Sequence, residues 1–406
     1  MVLAVSVGLA TIGVCVFCAA YFGSRTFLFY IYTLGEKKMK KLLPLILAVL
    51  MLLSFVACDN TPSEVANSNS NNVENNDGGE STNNGHTGSD DSNLNDNNIG
   101  DLTNLKPSEG LEYILSDDEE YYIVCGIGTC TDTILVIPST YNQLPVKEIY
   151  NAKSYSSGAF YLQEQLTGVI VSENITSIGK HAFLACHNLK TIVIGESVVS
   201  IGDDAFSLCS NLTNITVDEN NITYKAIDGN LYTKDVTKLV QYAVGKKDTS
   251  FIIPQIVKSI GYGSFSGCRN LQKIEIPNGV TSIGYRAFSS CSNLLSINIP
   301  NSVTEIEGGI LAECSNLKNV ILGSGIDTIS YQMFDSCYNL ESIEISGNIS
   351  SIDARAFDQC QNLKNIYFVG TIKEWDNIEK RSDWNDWLPI ILINCSDGII
   401  EIKAQD

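Results

Sequence analysis

Cysteine offers this chain most of its chemistry: there are 13, and seven of them keep a strict spacing. Cys186, Cys209, Cys268, Cys291, Cys314, Cys337 and Cys360 follow one another at 23 residues, apart from one step of 59. Such a series could supply metal thiolates, disulfides or nucleophiles. The fixed period argues otherwise. One cysteine per unit puts every thiol in the same slot of the same wall, where parallel Cα–Cβ vectors give poor disulfide geometry. A free cysteine in such a slot behaves as a small apolar residue. The expectation is a ladder of buried free thiols, with no metal.

Two histidines invite a catalytic reading. His187 follows Cys186 as a base would accompany a nucleophile, and His181 stands close by as a metal ligand might be placed. The period aligns His181 with Asp204, Arg286 and Gln332, and His187 with Ser210, Arg269 and Tyr338. Both then read as variable exposed positions around a buried thiol. Cys125 and Cys130 flank Gly126-Ile127-Gly128-Thr129 and could either close a cross-hairpin disulfide or stay reduced; Cys395 has no evident partner. Cys15 and Cys18 sit in an apolar run without metal or redox meaning. Nucleophile elbow, zincin, phosphate-loop and dinucleotide patterns are all missing from the sequence. The sequence therefore predicts no enzyme, no cofactor and no catalytic residue.

The elements that hold the cysteines share their period. Each cysteine is followed by x-Asn-Leu, giving Leu189, Leu212, Leu271, Leu294, Leu317, Leu340 and Leu363. Three residues on stands Ile192, Ile215, Ile274, Ile297, Val320, Ile343 or Ile366. Three before each cysteine is Phe183, Phe206, Phe265, Phe288, Leu311, Phe334 or Phe357. A degenerate unit starts at Phe160, with Leu166, Val169 and Val171 in register and Gln163 in the cysteine place. One unit reads I-G-x-x-A-F-x-x-C-x-N-L-x-x-I-x-I-P-x-x-V-x-x. The alternation in L-x-x-I-x-I predicts a short strand with one buried face, ended by prolines such as Pro277 and Pro300. The A-F pair and the cysteine then line the opposite wall in a turn-rich or short helical segment. A single unit cannot bury its own apolar face, so neighbours must stack. Eight strands at about 4.8 Å give a parallel sheet roughly 35–40 Å long.

This unit resembles the BspA-like, treponemal-type leucine-rich repeat of bacterial surface proteins. The resemblance implies an α/β repeat: a solenoid of 23-residue units with a parallel concave sheet, a β-rich N-terminal cap and a C-terminal cap. Residues 108–159, with the β-rich run from Tyr121 to Ile137 followed by Pro138, Val146 and Ile149, read as the first cap, and 160–370 as the repeats. Residues 371–406 resemble the closing segment of the family. There Thr371 caps a short helix carrying Ile372, Trp375 and Ile378, and Trp384, Trp387 and a hairpin around Ser396-Asp397-Gly398 close the core. The period breaks between residues 218 and 250. Asp228-Gly229-Asn230 predicts a hairpin there, and Lys234-Asp235-Val236-Thr237 a second turn, although relatives often carry glycine where Val236 stands. This insert is expected to protrude.

Targeting signals precede the repeats. Val2 to Gly23 is apolar and long enough to cross a bilayer. Met39, Lys40 and Lys41 then open a second apolar run that ends in Phe55-Val56-Ala57-Cys58, which resembles the lipobox of bacterial lipoproteins. That resemblance implies lipidation of Cys58 after removal of residues 39–57. Translation is expected to start at Met39, leaving residues 1–38 untranslated; with a start at Met1 they would hold a transmembrane segment. Residues 58–107 form a tether: between Asp59 and Leu105 there are 14 asparagines, nine acidic residues and no Lys or Arg. Such a composition buries too little apolar surface to fold.

A formal charge of -20 argues against nucleic-acid partners, which require clustered cations. The unlettered positions of L-x-x-I-x-I make two outward columns. One is Thr191, Asn214, Lys273, Ser296, Asn319, Ser342 and Asn365; the other is Val193, Thr216, Glu275, Asn298, Ile321, Glu344 and Tyr367. Glu275 and Glu344 are three rungs apart, so no acidic pair is formed for glycoside chemistry. A small polar face with a few apolar members suits protein or glycan contact, or is simply solvated. The resemblance implies a monomeric, lipid-anchored adhesin of the bacterial cell surface that binds host or bacterial molecules; the alternative is an envelope-organising lipoprotein without a soluble ligand.

Overall fold

The computed structural model describes residues 3–6, 17–20, 105–386 and 388–403. The chain divides into two units, 1–89 and 90–406. In the first, Leu3–Ser6 pairs antiparallel with Phe17–Ala20. Among the described residues no helix is long and apolar enough to cross a membrane. The Met39 start, the signal segment, Cys58, most of the tether and Trp387 lie outside the described residues.

In the second unit each 23-residue turn contributes to two parallel ladders. The expected strand of L-x-x-I-x-I forms the wider one. Ile134–Ile137, Gly168–Val171, Thr191–Ile194 and Asn214–Val217 make a four-stranded parallel sheet. Ser250–Ile252, Lys273–Glu275, Ser296–Ile299, Asn319–Leu322, Ser342–Ser346, Asn365–Val369 and Ile391–Cys395 make a second sheet, closed by antiparallel Gly398–Ile402. Side chains alternate as the pattern requires: Val320 and Leu322 are buried, Asn319 and Ile321 exposed. The ladder already begins at Ile134, inside the segment read as a cap, while the hairpin of Glu112–Leu115 with Tyr122–Gly126 joins a separate sheet through Leu144–Ile149.

The second ladder was not expected. Ser177–Ile178, Ser200–Ile201, Ser259–Ile260, Ser282–Ile283, Glu305–Ile306, Thr328–Ile329 and Ser351–Ile352 are two-residue strands, most of them paired one repeat apart. The isoleucine that opens each unit supplies their inward side chain, buried at Ile178, Ile260, Ile283, Ile329 and Ile352 and half-buried at Ile201 and Ile306.

The third wall is a chain of turns, the turn-rich form of the expected segment. Among the described residues the one α-helix is Ile372–Asn377, in the C-terminal cap, where Thr371 and Glu374 form a capping box. Helix is prevented in the repeats because two positions per unit are left-handed. One column contains His181, Asp204, Gly263, Arg286, Gly309, Gln332 and Arg355 at φ 52–64°, and the other contains Ala185, Leu208, Gly267, Ser290, Glu313, Ser336 and Gln359 at φ 57–82°. A left-handed residue every fourth position breaks each helical turn before the next can form. The amides bond instead across repeats: Phe183 N donates to Ala205 O, Ala185 N to Ser207 O, and Phe265 N to Ala287 O.

Side chains repeat the same logic. Phe160, Phe183 and Phe206 stack at centroid distances of 5.1 and 5.9 Å, and Tyr242, Phe265 and Phe288 at 5.1 and 5.2 Å. The asparagine of C-x-N-L is a structural residue: the Nδ2 atoms of Asn188, Asn270, Asn293, Asn339 and Asn362 each donate to a backbone carbonyl of the preceding turn at 2.6–2.8 Å. These bonds satisfy carbonyls that the turn wall would otherwise leave open.

The insert does not protrude. Tyr224–Ile227, Asn230–Thr233 and Lys238–Gln241 form an antiparallel meander, with a turn that holds Val236 at φ 63°. Lys238–Gln241 then joins the narrow ladder beside Ser259–Ile260. Leu231, Tyr232, Leu239 and Tyr242 are fully buried, so the apolar residues of the meander draw it into the solenoid. It also divides the molecule. Leu231 belongs to the N-terminal hydrophobic core and its neighbour Tyr232 to the C-terminal one, and the wide ladder is interrupted between Asn214–Val217 and Ser250–Ile252.

Candidate functional site

The cysteines are placed as the period predicts and are unfit for chemistry. All seven ladder thiols are buried and free. Each bonds backward where the repeat is regular: the Sγ atoms of Cys186, Cys209, Cys291, Cys314, Cys337 and Cys360 donate to the carbonyls of Phe160, Phe183, Phe265, Phe288, Leu311 and Phe334 at 2.9–3.3 Å. Burial pushes Cys186 up to about 12 and Cys268 up to about 11, and holds Cys209, Cys291 and Cys337 well above the ordinary thiol range. A thiol so protonated is no nucleophile.

His187 lies 2.8 Å from Glu164 at the surface, facing away from the Cys186 thiol that bonds inward. His181 is not an exposed position, and neither is its repeat equivalent Asp204: their side chains are 12% and 5% exposed and 3.9 Å apart. Both sit in a left-handed column that turns side chains along the wall. The Asp204 carboxylate accepts from Ser207 Oγ at 2.7 Å, and burial raises its pKa. Glycine at 263 and 309, in the same column, was the sequence signal for this geometry.

Cys125 and Cys130 are both free, the reduced one of the two alternatives. No hairpin joins them. Tyr122–Gly126 pairs with Glu112–Leu115 and Leu144–Ile149, and Cys130 ends a turn in which its amide donates to Ile127 O. Val124 and Cys130 enter the core, so strand alternation turns Cys125 to the other side.

The outward columns split at the insert. In the eight-stranded sheet Lys273, Ser296, Asn319, Glu275, Asn298, Ile321, Glu344 and Tyr367 are exposed, and Ser342 and Asn365 half-buried. Neighbours brace one another: Lys273 pairs with Glu275 at 2.6 Å, Ser342 Oγ donates to Asn319 Oδ1 at 2.7 Å, and Asn394 Nδ2 donates to Asn365 Oδ1 at 3.1 Å. Ile321 and Tyr367 stand out at 44% and 46% exposure, with Leu392 and Val369 beyond them toward the C-terminal edge.

The four-stranded sheet departs from the expectation. Thr191 is buried at 7% exposure, and Val193, Asn214 and Thr216 are half-buried. The insert explains part of this, because its Gly229 carbonyl accepts from Ile215 N at 3.0 Å and its turn lies against Asn214. The columns therefore belong to two faces of different character, not to one continuous surface.

Two parallel ladders joined by turns, with one apolar column per position, define a leucine-rich-repeat solenoid. The chain belongs to the BspA type leucine rich repeat family, which matches residues 148–236 and 241–376 in six copies, more than half of its length. It is similar to the crystal structure of a leucine rich cell surface protein from Faecalibacterium prausnitzii A2-165 (22% identity, TM-score 0.44, 69% of this chain and 99% of that one). It is also similar to leucine-rich repeat proteins from Eubacterium ventriosum ATCC 27560 (23%, TM-score 0.40, 71% and 91%) and T. pallidum (23%, TM-score 0.30, 64% and 90%). No curated protein matches.

Proposed function

We propose that this chain is a non-catalytic binding protein of a bacterial cell surface, held to the membrane through a lipidated Cys58. Its ligand is a protein or glycan of a host or bacterial surface, engaged by the exposed face of the eight-stranded sheet. The observation that carries this reading is the pairing of rigidity with exposed apolar groups on that face. Ile321 and Tyr367 project two rungs apart among Asn298, Asn319, Ser342 and Glu344, on strands fixed in register by their neighbours. A preorganised surface of this kind binds with little ordering cost, and tyrosine adds contact area with a polar tip. Family membership supports the location, since BspA-type proteins are typically found at the cell surface.

Full-length protein passed over immobilised host matrix proteins and cell-wall polysaccharides is expected to be retained saturably on at least one of them; retention on none would count against the reading. Expressed in a bacterial host, it is expected to take up radiolabelled palmitate and to fractionate with the membrane. Cys58→Ala should abolish both, and label that survives this change would rule out the anchor.

A further inference from the structure

We infer that two copies of this chain associate through the last strand of the eight-stranded sheet, Gly398–Ile402, paired antiparallel across a two-fold axis at Ile400. Among the described residues this strand has one neighbour, Ile391–Cys395, and its other edge is open. The family resemblance implies a monomer, and monomers commonly blunt such an edge with a proline, a bulge or a very short strand. Here the strand runs five residues without proline, and its register with Ile391–Cys395 is unbroken. The neighbour fixes which backbone groups face out. Leu392 N–H donates to Lys364 O at 2.8 Å, so the polar groups of Leu392, and by alternation those of Asn394, turn toward Asn365–Val369. Their cross-strand partners Glu401 and Ile399 therefore send both N–H and C=O away from the sheet.

The charges along the strand say that a second copy fits this edge. With Ile399 opposite Glu401 of the other copy, and Glu401 opposite its Ile399, the outward groups of both residues exchange backbone bonds on either side of the axis. The same register sets Asp397 opposite Lys403 of the other copy at both ends of the pairing. Both residues are exposed, and Asp397 is held in place by Ile372 N–H, which donates to its Oδ1 at 2.7 Å. Sliding the partner by two residues would put Glu401 opposite Glu401, or Asp397 opposite Glu401, and like charges directly opposite oppose pairing. The strand is thus complementary to itself in one register, a match that a strand of another protein has no reason to share. On the core side Ile400 meets Ile400 of the other copy as a non-hydrogen-bonded pair, where cross-strand side chains come closest. Ile400 and Ile402 are half-buried against the C-terminal core, and the second copy would cover the side they leave open. Ile399, 63% exposed, would pack on the stem of Glu401.

The test uses the full-length protein carrying Ile400→Cys, oxidised with copper phenanthroline and read on a non-reducing denaturing gel. The two new thiols would sit on α-carbons about 4.5 Å apart, within disulfide reach, so a cross-linked dimer is expected. Glu401→Cys puts a more exposed thiol about 7–8 Å from its counterpart, beyond that reach, and should cross-link far less. Wild type, with half-buried Cys125 and Cys395, sets the background. Sedimentation velocity over a concentration series then gives the dimer dissociation constant for chains without the new cysteine. Ile399→Pro removes an outward N–H but no bond of the ladder, a substitution that edge strands tolerate, and should raise that constant about tenfold at an unchanged melting temperature. Lys403→Glu sets a like charge opposite Asp397, should also weaken the dimer, and covers the case in which the proline variant misfolds. The proposal is overturned if Ile400→Cys cross-links no more than wild type, or if Glu401→Cys cross-links as well as Ile400→Cys. A folded Lys403→Glu dimer as tight as wild type would overturn it too. So would a monomer at every concentration, the outcome expected if another protein or another part of this chain occupied the edge.

Discussion

Replacing Phe288 with alanine is expected to lower the stability of the solenoid by about 3–5 kcal/mol, the range for deleting a fully buried aromatic ring. Phe288 is 0% exposed and stacks on Phe265 at 5.2 Å. Its amide donates to Ile310 O, and its carbonyl accepts the Cys314 thiol at 3.1 Å. The backbone on both sides is therefore tied to neighbouring turns and cannot collapse far into the vacated space. Urea unfolding of wild type and variant measures the loss, which should fall on the C-terminal core to which Phe288 belongs. A loss below about 1.5 kcal/mol would mean that the phenylalanine column is loosely packed, contrary to the stacking geometry.

Gly263→Ala should cost about 3 kcal/mol, although it adds a single methyl group. Two effects add. Residue 263 is at φ 53°, where a β-carbon costs about 1–2 kcal/mol. The added carbon would also overlap Asp204 Oδ1 and Ser207 Oγ, displacing a buried hydrogen-bonded pair for about 1–3 kcal/mol more. Gly309→Ala separates the two contributions. Its φ is 64°, but the nearest atom would be the flexible Arg286 Cγ at 3.2 Å, so the backbone cost alone is expected there. Equal losses in the two variants would show that the Asp204–Ser207 pair moves aside freely.

The wide ladder was legible because each I-x-I of L-x-x-I-x-I places two apolar residues on one face, and seven copies repeat it. The narrow ladder was not, since a two-residue strand such as Ser282–Ile283 is too short to show a period of two. The turn wall was half legible: Gly263, Gly267 and Gly309 mark left-handed positions, but their repeat equivalents Arg286, Ser290 and Glu313 adopt the same backbone without glycine. Buried Leu231, Tyr232, Leu239 and Tyr242 were visible in the sequence of the insert, and so many large apolar side chains argue for burial; the broken period alone suggested a protrusion. The cysteine ladder and the exposed columns after the insert followed from register. Burial of Thr191 did not, because it depends on residues brought beside it by folding.

The central claim is that the eight-stranded face is the main contact surface. Its most direct test changes Asn298 and Ile321 together to arginine, which places bulk and charge on neighbouring exposed positions and leaves the buried Ile297 and Val320 in place. Affinity is measured for whichever matrix protein or polysaccharide retains the wild type, alongside the melting temperature. The account predicts a folded protein whose affinity falls about tenfold or more, which corresponds to about 1.4 kcal/mol. A folded double variant that binds as tightly as wild type would contradict it.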